Sequence, residues 1–473
     1  MKLTLNNKDI EKSSKKYTRL VVTTKKSEVK FVETKSGNTE LRIGVGKFNE
    51  VSAEDFCLFV RSIVETAKKN QIDHLAIEMF KSLFPKLKPL GDDWVVAKLA
   101  ENLLLANYTF DAYKTNNKKN KDLKEILVCG GLSKSQKAAW KKGITLAECV
   151  NESRDIANTP GDDMTPQKLA EAAKRLAKGT KVSVKVFDEK VIKKEGLHAL
   201  WAVGKGANDM PRFIMMEYFP LGKPTKNDKK KQPLVIVGKG ITYDTGGLNV
   251  KPSGAMHDMH MDMSGGATVI ASIVCAAKLG VKKNIVALIP AAENAVSDRS
   301  MRAGDIIKSH SGKTIEVLHT DAEGRLVLAD ALSYSNKYFP RAIVDVATLT
   351  GAALVALGQQ ASALMGNDEK LQQTLIKLSE PEESGDRVWP LPLWDAYKEP
   401  LKQTRADVVN IHPSFSKFGG TIEGAAFLSF FAPKCPWAHI DIAPRMDSIP
   451  KDKLAKGSTG EPVRLLVKFL EQY

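Results

Sequence analysis

The stretch LVIVGKGITYDTGG, residues 234–247, decides the fold class of this chain. Its first four residues, Leu234–Val237, form an apolar, β-branched run that is typical of a strand buried on both faces. Four glycines fall within the next ten residues, and glycine permits a tight backbone that other residues resist. A buried strand that passes directly into a glycine-rich loop favours an α/β fold, provided that similar strands alternate with helices elsewhere.

Such an alternation continues through the rest of the chain. The predicted strands are Leu234–Val237, Ile285–Ile289, Ala342–Val346 and Ala438–Ile442, and the predicted helices between them include Ala267–Leu279 and Leu326–Lys337. This order predicts a mixed sheet with helices on its faces. Ligands bind beyond the carboxyl ends of the strands in such sheets, so the residues after each apolar run are candidates for function.

The first 150 residues predict a separate, smaller α/β domain. Its predicted strands are Leu20–Thr24, Lys30–Glu33 and Ile126–Val128, its predicted helices are Ala53–Lys69 and Asp93–Leu105, and Thr115–Asp122 is a polar run typical of an exposed loop. A long helical stretch, Leu132–Ala157, then ends in a cluster of helix breakers at residues 158–163. We therefore predict an N-terminal α/β domain over residues 1–150 and a larger C-terminal α/β domain over residues 151–473.

The charge of the chain raises a hypothesis about its partners. Lysine and arginine total 71 against 55 acidic residues, a formal net charge of +16, and residues 1–150 carry +10 of that excess. Positive surface attracts phosphate, so DNA binding by the N-terminal domain is one interpretation, and a solvated lysine-rich surface is the other. A composition of 43% hydrophobic and 27% charged residues excludes a collagen, a coiled coil and a disordered chain.

Cysteine usage and the N-terminus bear on location. The five cysteines form no C-x-x-C pair, and residues 1–9 show no secretory signal pattern, so we expect a cytoplasmic protein. Residues 346–367 carry no charge and are long enough to span a bilayer. The adjacent Gln359 and Gln360 would be costly in hydrocarbon, so we predict a buried strand, a loop and a helix there, and no membrane partner.

Ionisable residues follow the predicted strands, whereas common catalytic motifs are missing. The sequence contains no Walker A loop, no complete dinucleotide fingerprint, no G-x-S-x-G and no H-E-x-x-H. The candidate residues at strand ends are instead Lys239, Asp244, Lys251, Asp262, Asp321, Glu323 and Arg325. Asp321 and Glu323 are two residues apart, so their carboxylates face the same side of an extended segment.

Four carboxylates brought together repel one another, and divalent cations would relieve that repulsion. An oxygen-rich site without clustered His or Cys suits Mg²⁺ or Mn²⁺, with Zn²⁺ as a further alternative. Two such ions can hold both the attacking and the departing oxygen of a hydrolysis. The competing interpretation is an ordinary surface network of salt bridges with glycine turns.

Four stretches of the chain resemble the leucyl aminopeptidases, the M17 metallopeptidase family. They are residues 237–247 (VGKGITYDTGG), 320–326 (TDAEGRL), 345–352 (DVATLTGA) and 437–443 (WAHIDIA). His319 stands where that family usually has an asparagine, beside two expected ligands that it could tune. The resemblance covers residues 145–473 by several motifs in the same order, and it implies that residues 151–473 form a dimetal peptidase catalytic domain.

The resemblance implies a role for each ionisable residue. Lys239, Asp244, Asp262 and Glu323 would hold the tighter metal, and Asp244, Asp321 and Glu323 the more exchangeable one. The metals would be Mn²⁺ or Zn²⁺, or else Mg²⁺. Lys251 would polarise the scissile carbonyl, and Arg325 would hold a bicarbonate that acts as general base towards a water between the metals.

The same resemblance implies the substrate and the assembly. The substrate would be a peptide with a free N-terminus, and its first side chain, leucine or a similar apolar group, would lie against Met259, Thr348, Gly351, Ala443 and Met446. Pro444 and Arg445 depart from the small or apolar residues usual at these positions, and Arg445 is expected to change the preference. A homohexamer with the catalytic domains inside is expected.

Two alternatives stand beside this hypothesis. One is an additional DNA-binding regulatory role of the basic N-terminal domain. The other is a non-catalytic scaffold of the same fold, against which all seven expected metal-binding and catalytic positions are filled by suitable residues.

Overall fold

A computed structural model describes residues 1–7, 10, 16–26, 28–35, 37–80, 82–115, 123–416 and 418–473. Its contacts divide the chain into two compact units. The first contains Met1–Asn151 together with Ser448–Lys456, and the second contains Glu152–Asp447 and Gly457–Tyr473. The predicted loop Thr115–Asp122 falls, except for its first residue, outside the described residues.

The first unit is built on one sheet. Its elements are β1 Lys2–Asn6, β2 Thr18–Thr23, β3 Val29–Glu33, β4 Thr39–Gly44, α1 Ala53–Lys69, β5 His74–Glu78, a 3-10 helix Pro85–Leu90, α2 Asp92–Asn107, β6 Glu125–Cys129 and most of α3 Lys134–Asn158. The described strands pair in the order β1-β6-β5-β2-β4-β3, and only the β3–β4 pair is antiparallel. The strands and helices predicted in this part of the sequence are present, with ends that agree or differ by at most two residues.

Helix α1 shows how local sequence defines an element. Ser52 and Asp55 form a reciprocal cap, in which the Asp55 N–H donates to Ser52 Oγ at 3.2 Å and the Ser52 N–H donates to Asp55 Oδ2 at 3.1 Å. Phe56, Val60 and Ile63 recur at helical spacing and are buried. The segment Ser448–Lys456 lies against this helix, since the Lys451 ammonium pairs with Glu54 at 3.3 Å.

The second unit has a larger set of elements. They are α4 Pro166–Ala177, β7 Ser183–Phe187, α5 Glu189–Lys194, α6 His198–Gly204, β8 Arg212–Tyr218, β9 Leu234–Gly238, β10 Gly240–Asp244, α7 Ser264–Lys278, β11 Ile285–Asn294, β12 Ile306–Lys308, β13 Thr314–Glu316, α8 Gly324–Tyr334, β14 Ala342–Ala347, α9 Gly351–Leu357, β15 Ser362–Gly366, α10 Glu369–Ser379, β16 Val388–Pro390, β17 Val408–Val409, α11 Gly420–Ser429, β18 Trp437–Asp441 and α12 Val463–Gln472. Short 3-10 helices cover Met259–Met263, Ser335–Tyr338, Asp395–Tyr397, Glu399–Lys402 and Ala443–Arg445. A further 3-10 helix, Pro450–Asp452, belongs to the first unit.

The main sheet of the second unit is mixed, as the sequence predicts. Its strands follow the order β16-β15-β18-β14-β9-β11-β8-β7, and β10 pairs with β11. The four neighbours β18, β14, β9 and β11 run parallel, so their carboxyl ends meet at one edge. Buried apolar side chains cover both faces, those of α4, α7, α10 and α12 on one side and those of α6, α8 and α11 on the other. A small third sheet joins β12, β13 and β17.

The uncharged stretch 346–367 differs in part from its prediction. It contains the end of β14, the exposed helix α9 and the buried strand β15, so a second strand stands where a helix was expected at its end. The predicted helix Leu326–Lys337 is α8 followed by a 3-10 turn. Among the described residues, no helix is long and apolar enough to cross a membrane.

Candidate metal centre

The candidate centre lies at the edge where the parallel strands of the second unit end. Lys239 directly follows β9, and its backbone N–H donates to the carbonyl of Val346 in β14 at 3.0 Å. The Lys239 side chain passes over Gly324, the first residue of α8. A Cβ at position 324 would lie 2.6 Å from Lys239 Cε, so only glycine leaves room for the lysine there.

Lys239 is buried and joins two carboxylates. Its ammonium lies 2.8 Å from Asp262 Oδ2 and 2.9 Å from Glu323 Oε1, and it donates to the carbonyl of Thr348 at 3.0 Å. Burial alone would lower the pKa of Lys239, but the charges of Asp262, Glu323 and Asp244 outweigh burial and raise it. The lysine therefore supplies positive charge that these carboxylates require.

Lys251 makes a second bridge in the same site. Its ammonium lies 2.8 Å from Asp244 Oδ2 and 2.6 Å from Asp321 Oδ1. Burial opposes its charge, whereas the two aspartates favour it and raise the pKa of Lys251. Asp244 is fixed by neutral donors as well, because its Oδ1 accepts from the Gly246 N–H at 2.9 Å and from Asn294 Nδ2 at 2.8 Å.

Asp244, Asp262 and Glu323 form a compact group of oxygen ligands. One carboxylate oxygen of each lies within 4.8 Å of the others, and all three residues are buried. Asp262 Oδ2 and Glu323 Oε1 contact the Lys239 ammonium. Among the described residues these two oxygens have no other hydrogen-bond donor and Glu323 Oε2 has none, which leaves them available to a cation. With Asp321, four carboxylates face two lysines, so the site carries more acidic than basic groups. The donor set and its charge fit a hard divalent cation.

The crowding of these carboxylates perturbs their ionisation. Burial, together with the neighbouring Glu323 and Asp244, raises the pKa of Asp262 to about 8, although Lys239 acts in the opposite direction. Burial and Asp244 likewise raise the pKa of Glu323 to about 7 against the effect of Lys239. Both pKa values are raised because like charges lie close together in a buried site, which is energetically unfavourable. A bound dication would offset this repulsion.

Arg325 lies in the first turn of α8 and is buried. Its Nη1 donates to the carbonyl of Asn410 at 2.7 Å and lies 3.6 Å from Glu423 Oε1. The Nε group of Arg325 is buried and makes no hydrogen bond with the residues that the structure describes. Burial lowers the pKa of this guanidinium, and the nearby Glu423 and Glu323 act against burial. The arrangement leaves one charged donor available to an anion.

Three asparagines support the loop that carries Asp321 and Glu323, and the sequence alone did not indicate them. Asn249 Oδ1 accepts from the Thr320 N–H at 2.7 Å, and Asn294 Nδ2 donates to the Thr320 carbonyl at 3.2 Å. Asn410 Nδ2 donates to the His319 carbonyl at 2.7 Å. Each lies far from the loop in sequence, so no local pattern marks it; the only available signal is a polar residue that follows a strand end.

The residues expected to line the substrate pocket lie on three segments. Met259 is on the same 3-10 helix as Asp262, and Thr348 Oγ1 donates to Asp262 Oδ1 at 2.7 Å. Gly351 begins α9, whereas Ala443 and Met446 belong to the turn after β18. Asp441 links the last two segments, because its Oδ1 accepts from the N–H groups of Leu349, at 3.0 Å, and Ala443, at 3.2 Å.

His319 lies beside the ligand loop. Its Nδ1 accepts from the Asp321 N–H at 3.3 Å, and its own N–H donates to Asn410 Oδ1 at 3.3 Å. Burial lowers the pKa of His319, and the nearby Arg325 and Lys251 lower it further. His319 therefore contacts the backbone of one expected ligand.

Comparison with known proteins gives the same family for both parts of the chain. Residues 151–467 match the family model described as the cytosol aminopeptidase family, catalytic domain, and residues 14–117 match the N-terminal domain of that family. A probable cytosol aminopeptidase of Syntrophotalea carbinolica is 43% identical over 80% of this chain and 75% of its own length. A probable cytosol aminopeptidase of Roseiflexus castenholzii is 38% identical over 92% of this chain and 87% of its own length.

A solved structure is similar over the full fold. The bottromycin maturation enzyme BotP in complex with Mn superposes with a TM-score of 0.84 and 30% sequence identity, over 96% of this chain and 98% of that chain.

Proposed function

The chain belongs to the cytosol aminopeptidase family and is a hydrolase of the aminopeptidase type, and from this premise we propose that it is a dimetal enzyme that releases leucine or similar apolar residues from the N-terminus of peptides. The observation that carries the proposal is the buried group of Asp244, Asp262 and Glu323, whose ligand atoms lie within 4.8 Å of one another. Three buried carboxylates of one sign are costly unless a cation is bound among them.

Two divalent ions are proposed to share these ligands. Lys239, Asp244, Asp262 and Glu323 would hold the tighter ion, and Asp244, Asp321 and Glu323 the more exchangeable one. Mn²⁺, Zn²⁺ and Mg²⁺ all suit oxygen ligands, and the Mn bound to BotP favours the first. When bound, such ions polarise a carbonyl and lower the pKa of a coordinated water. Lys239 would bind as the neutral amine, because a dication replaces the charge of its proton.

Lys251 is proposed to act on the scissile carbonyl. Its ammonium is held by Asp244 and Asp321 at 2.8 and 2.6 Å, which fixes its position and keeps it protonated. A fixed positive charge beside the carbonyl oxygen stabilises the negative charge that develops there in the transition state. The two aspartates therefore both position and ionise this lysine.

Arg325 is proposed to hold a bicarbonate that serves as general base. The Nε group of Arg325 is buried and has no hydrogen-bond partner in the described part of the chain, which suits an anionic acceptor. The Asn410 carbonyl and Glu423 fix the other end of the guanidinium. The N–H groups of Arg325 would orient the anion beside the reacting bond.

We propose that the enzyme prefers an apolar first residue in its substrate, because of the side chains on the segments beside the metal group. Thr348 contacts Asp262 directly, and Gly351 begins the next helix; Met259 and Met446 are half-buried residues of neighbouring segments. Methionine side chains adapt to leucine-like groups of differing shape.

The direct test is hydrolysis of leucine p-nitroanilide by metal-loaded protein. We expect activity with Mn²⁺ or Zn²⁺, its loss on treatment with a chelator, and its return when metal is added back. N-acetyl-leucine p-nitroanilide is the matched control, since it lacks only the free amine and should not be cleaved. Equal activity after complete metal removal, or equal cleavage of the acetylated substrate, would contradict the proposal.

Self-association into a homohexamer is proposed alongside the activity. Val355 and Phe418 are 88% and 89% exposed, and Trp394 is 66% exposed, which is unusual for large apolar side chains. Their segments are neighbours, because a Cβ at Gly420 would lie 3.1 Å from Ala352 Cβ and a Cβ at Gly419 would lie 3.9 Å from the Tyr397 ring, on which Trp394 stacks. Light scattering should give a mass near six times 51.8 kDa. A monomer at micromolar concentration would overturn the assembly.

DNA binding stays a prediction based on charge alone. The excess of +10 in residues 1–150 would produce affinity that falls steeply with salt. A gel shift of the full chain with duplex DNA at 50 and 200 mM salt tests it. Absent binding at 50 mM, or binding that does not change with salt, would exclude the hypothesis.

A further inference from the structure

The turn after β18 carries an arginine whose charge is used inside the protein. Arg445 is 6% exposed, and its Nε and Nη2 donate to the two carboxylate oxygens of Glu461 at 3.1 and 2.8 Å. Its Nη1 donates to the backbone carbonyl of Gln359 at 2.8 Å. One guanidinium thus connects the 443–446 turn to the C-terminal segment and to Gln359, the second residue after α9.

The C-terminal partner of Arg445 is itself held firmly. Arg464 lies 3.8 Å from Glu461 and 2.5 Å from Asp386, so positive and negative side chains alternate through this buried group. Thr459 Oγ1 adds a hydrogen bond to the Arg445 carbonyl at 2.6 Å. Two arginines balance two carboxylates, which limits the cost of burying them and makes Glu461 a fixed anchor.

Helix α9 depends on polar contacts at its ends for its position. Of its seven residues only Ala353 is buried, so apolar packing holds it weakly. At its start, Thr350 Oγ1 donates to Asp441 Oδ2 at 2.7 Å, and after its end the Gln359 carbonyl accepts from Arg445. Asp441 and Arg445 are four residues apart on one segment, and they hold the two ends of the same helix.

This helix begins beside the candidate metal centre. Thr348, three residues before α9, contacts both Lys239 and Asp262. We propose that Arg445 is a specificity-determining positioning residue. Through Glu461 and the Gln359 carbonyl, it sets the separation between α9 and the 443–446 turn. This separation sets the width of the pocket for the first side chain of the substrate. The inference rests on the proposed function. The charge of Arg445 is paired, so it acts through geometry and not as a charge presented to substrate.

The test compares leucine and alanine p-nitroanilides on the metal-loaded full chain. The double variant Arg445→Met/Glu461→Gln removes one charge of each sign, so the net charge of the buried group does not change. We expect the ratio of kcat/KM for leucine over alanine to fall about tenfold, chiefly through KM for leucine, because a change of pocket width is felt most by the larger group. Arg445→Lys keeps the charge but replaces three donor nitrogens in a planar fork with a single nitrogen, which does not reproduce the geometry of the Glu461 and Gln359 contacts, and it should lower the ratio in the same direction.

The control is Arg212→Met/Glu189→Gln, the same pair of changes at another contact of the second unit, 3.3 Å long. It should leave the substrate ratio as in the wild type. A purely structural role of Arg445 would reduce kcat for both substrates by the same factor and leave their kcat/KM ratio unchanged. A leucine-to-alanine ratio within twofold of wild type in the double variant would therefore overturn the inference. If the double variant does not fold, the same result in Arg445→Lys would overturn it. A wild type that cleaves neither substrate would instead overturn the proposed function, and the inference with it.

Discussion

Replacement of Asn410 by leucine should weaken the metal centre without touching a ligand. The amide of Asn410 accepts from the Leu318 N–H at 2.8 Å and donates to the His319 carbonyl at 2.7 Å, with longer contacts to the His319 N–H and the Ala322 carbonyl. These bonds hold the backbone just before Glu323. Leucine has a similar size, so the change removes the hydrogen bonds with little change in packing volume.

The magnitude follows from the two short bonds. A buried backbone group left without its partner costs about 1–3 kcal/mol, and Leu318 and His319 are only half-buried, so water recovers part of that. We therefore expect a loss of about 2–4 kcal/mol in the free energy of unfolding, which for a unit of this size corresponds to a fall in Tm of about 3–6 °C. Residues that support metal ligands typically change metal affinity by about 10–100-fold, and we expect the Kd for Mn²⁺ to rise by that factor.

Two measurements on each protein check this prediction. Thermal unfolding of the metal-free chain reports stability, and titration with Mn²⁺ followed by calorimetry reports affinity. Asn336→Leu is the control, because Asn336 is exposed and makes one longer bond, 3.2 Å, to the Ser333 carbonyl. A Tm within 2 °C of wild type together with an unchanged Kd for Mn²⁺ in Asn410→Leu would refute the reasoning.

Three further outcomes follow from the structure. Lys251→Met should lower kcat for leucine p-nitroanilide by about 10²–10³-fold with little change in KM, as the loss of an oxyanion donor does. The control Lys185→Met, on exposed surface, should not lower kcat. A kcat of Lys251→Met within threefold of wild type would exclude a role of Lys251 in stabilising the transition state. Asp330→Ala should destabilise the second unit by about 3 kcal/mol in urea unfolding. Asp330 is fully buried, and its carboxylate accepts hydrogen bonds from three backbone N–H groups at 2.8–3.0 Å. A loss of stability below about 1 kcal/mol would show that water replaces the carboxylate. Mn²⁺ at one hundred times its Kd should stabilise the fold by about 2.7 kcal/mol relative to chelator, and an identical Tm in both would argue against the metal site.

Local sequence was sufficient for the elements with clear periodicity or capping, and it pointed to the candidate ligands. Apolar spacing and the Ser52–Asp55 cap define α1, and the β-branched run 234–237 defines β9, because periodicity and capping act within a few residues. The glycine-rich segment after β9 marked Lys239 and Asp244 in the same way.

Only the tertiary structure decided which side chains meet. Asp262 and Glu323 are 61 residues apart, yet Lys239 bridges them; Asn410 supports the ligand loop from 87 residues beyond Glu323. The sequence marked Arg445 as a departure from the usual residues at its position, but it did not indicate that Glu461 binds the charge of Arg445 inside the protein. The residues beside a side chain in sequence do not specify its partner across the fold, because that partner is set by strand order and by the loops that return to one sheet edge.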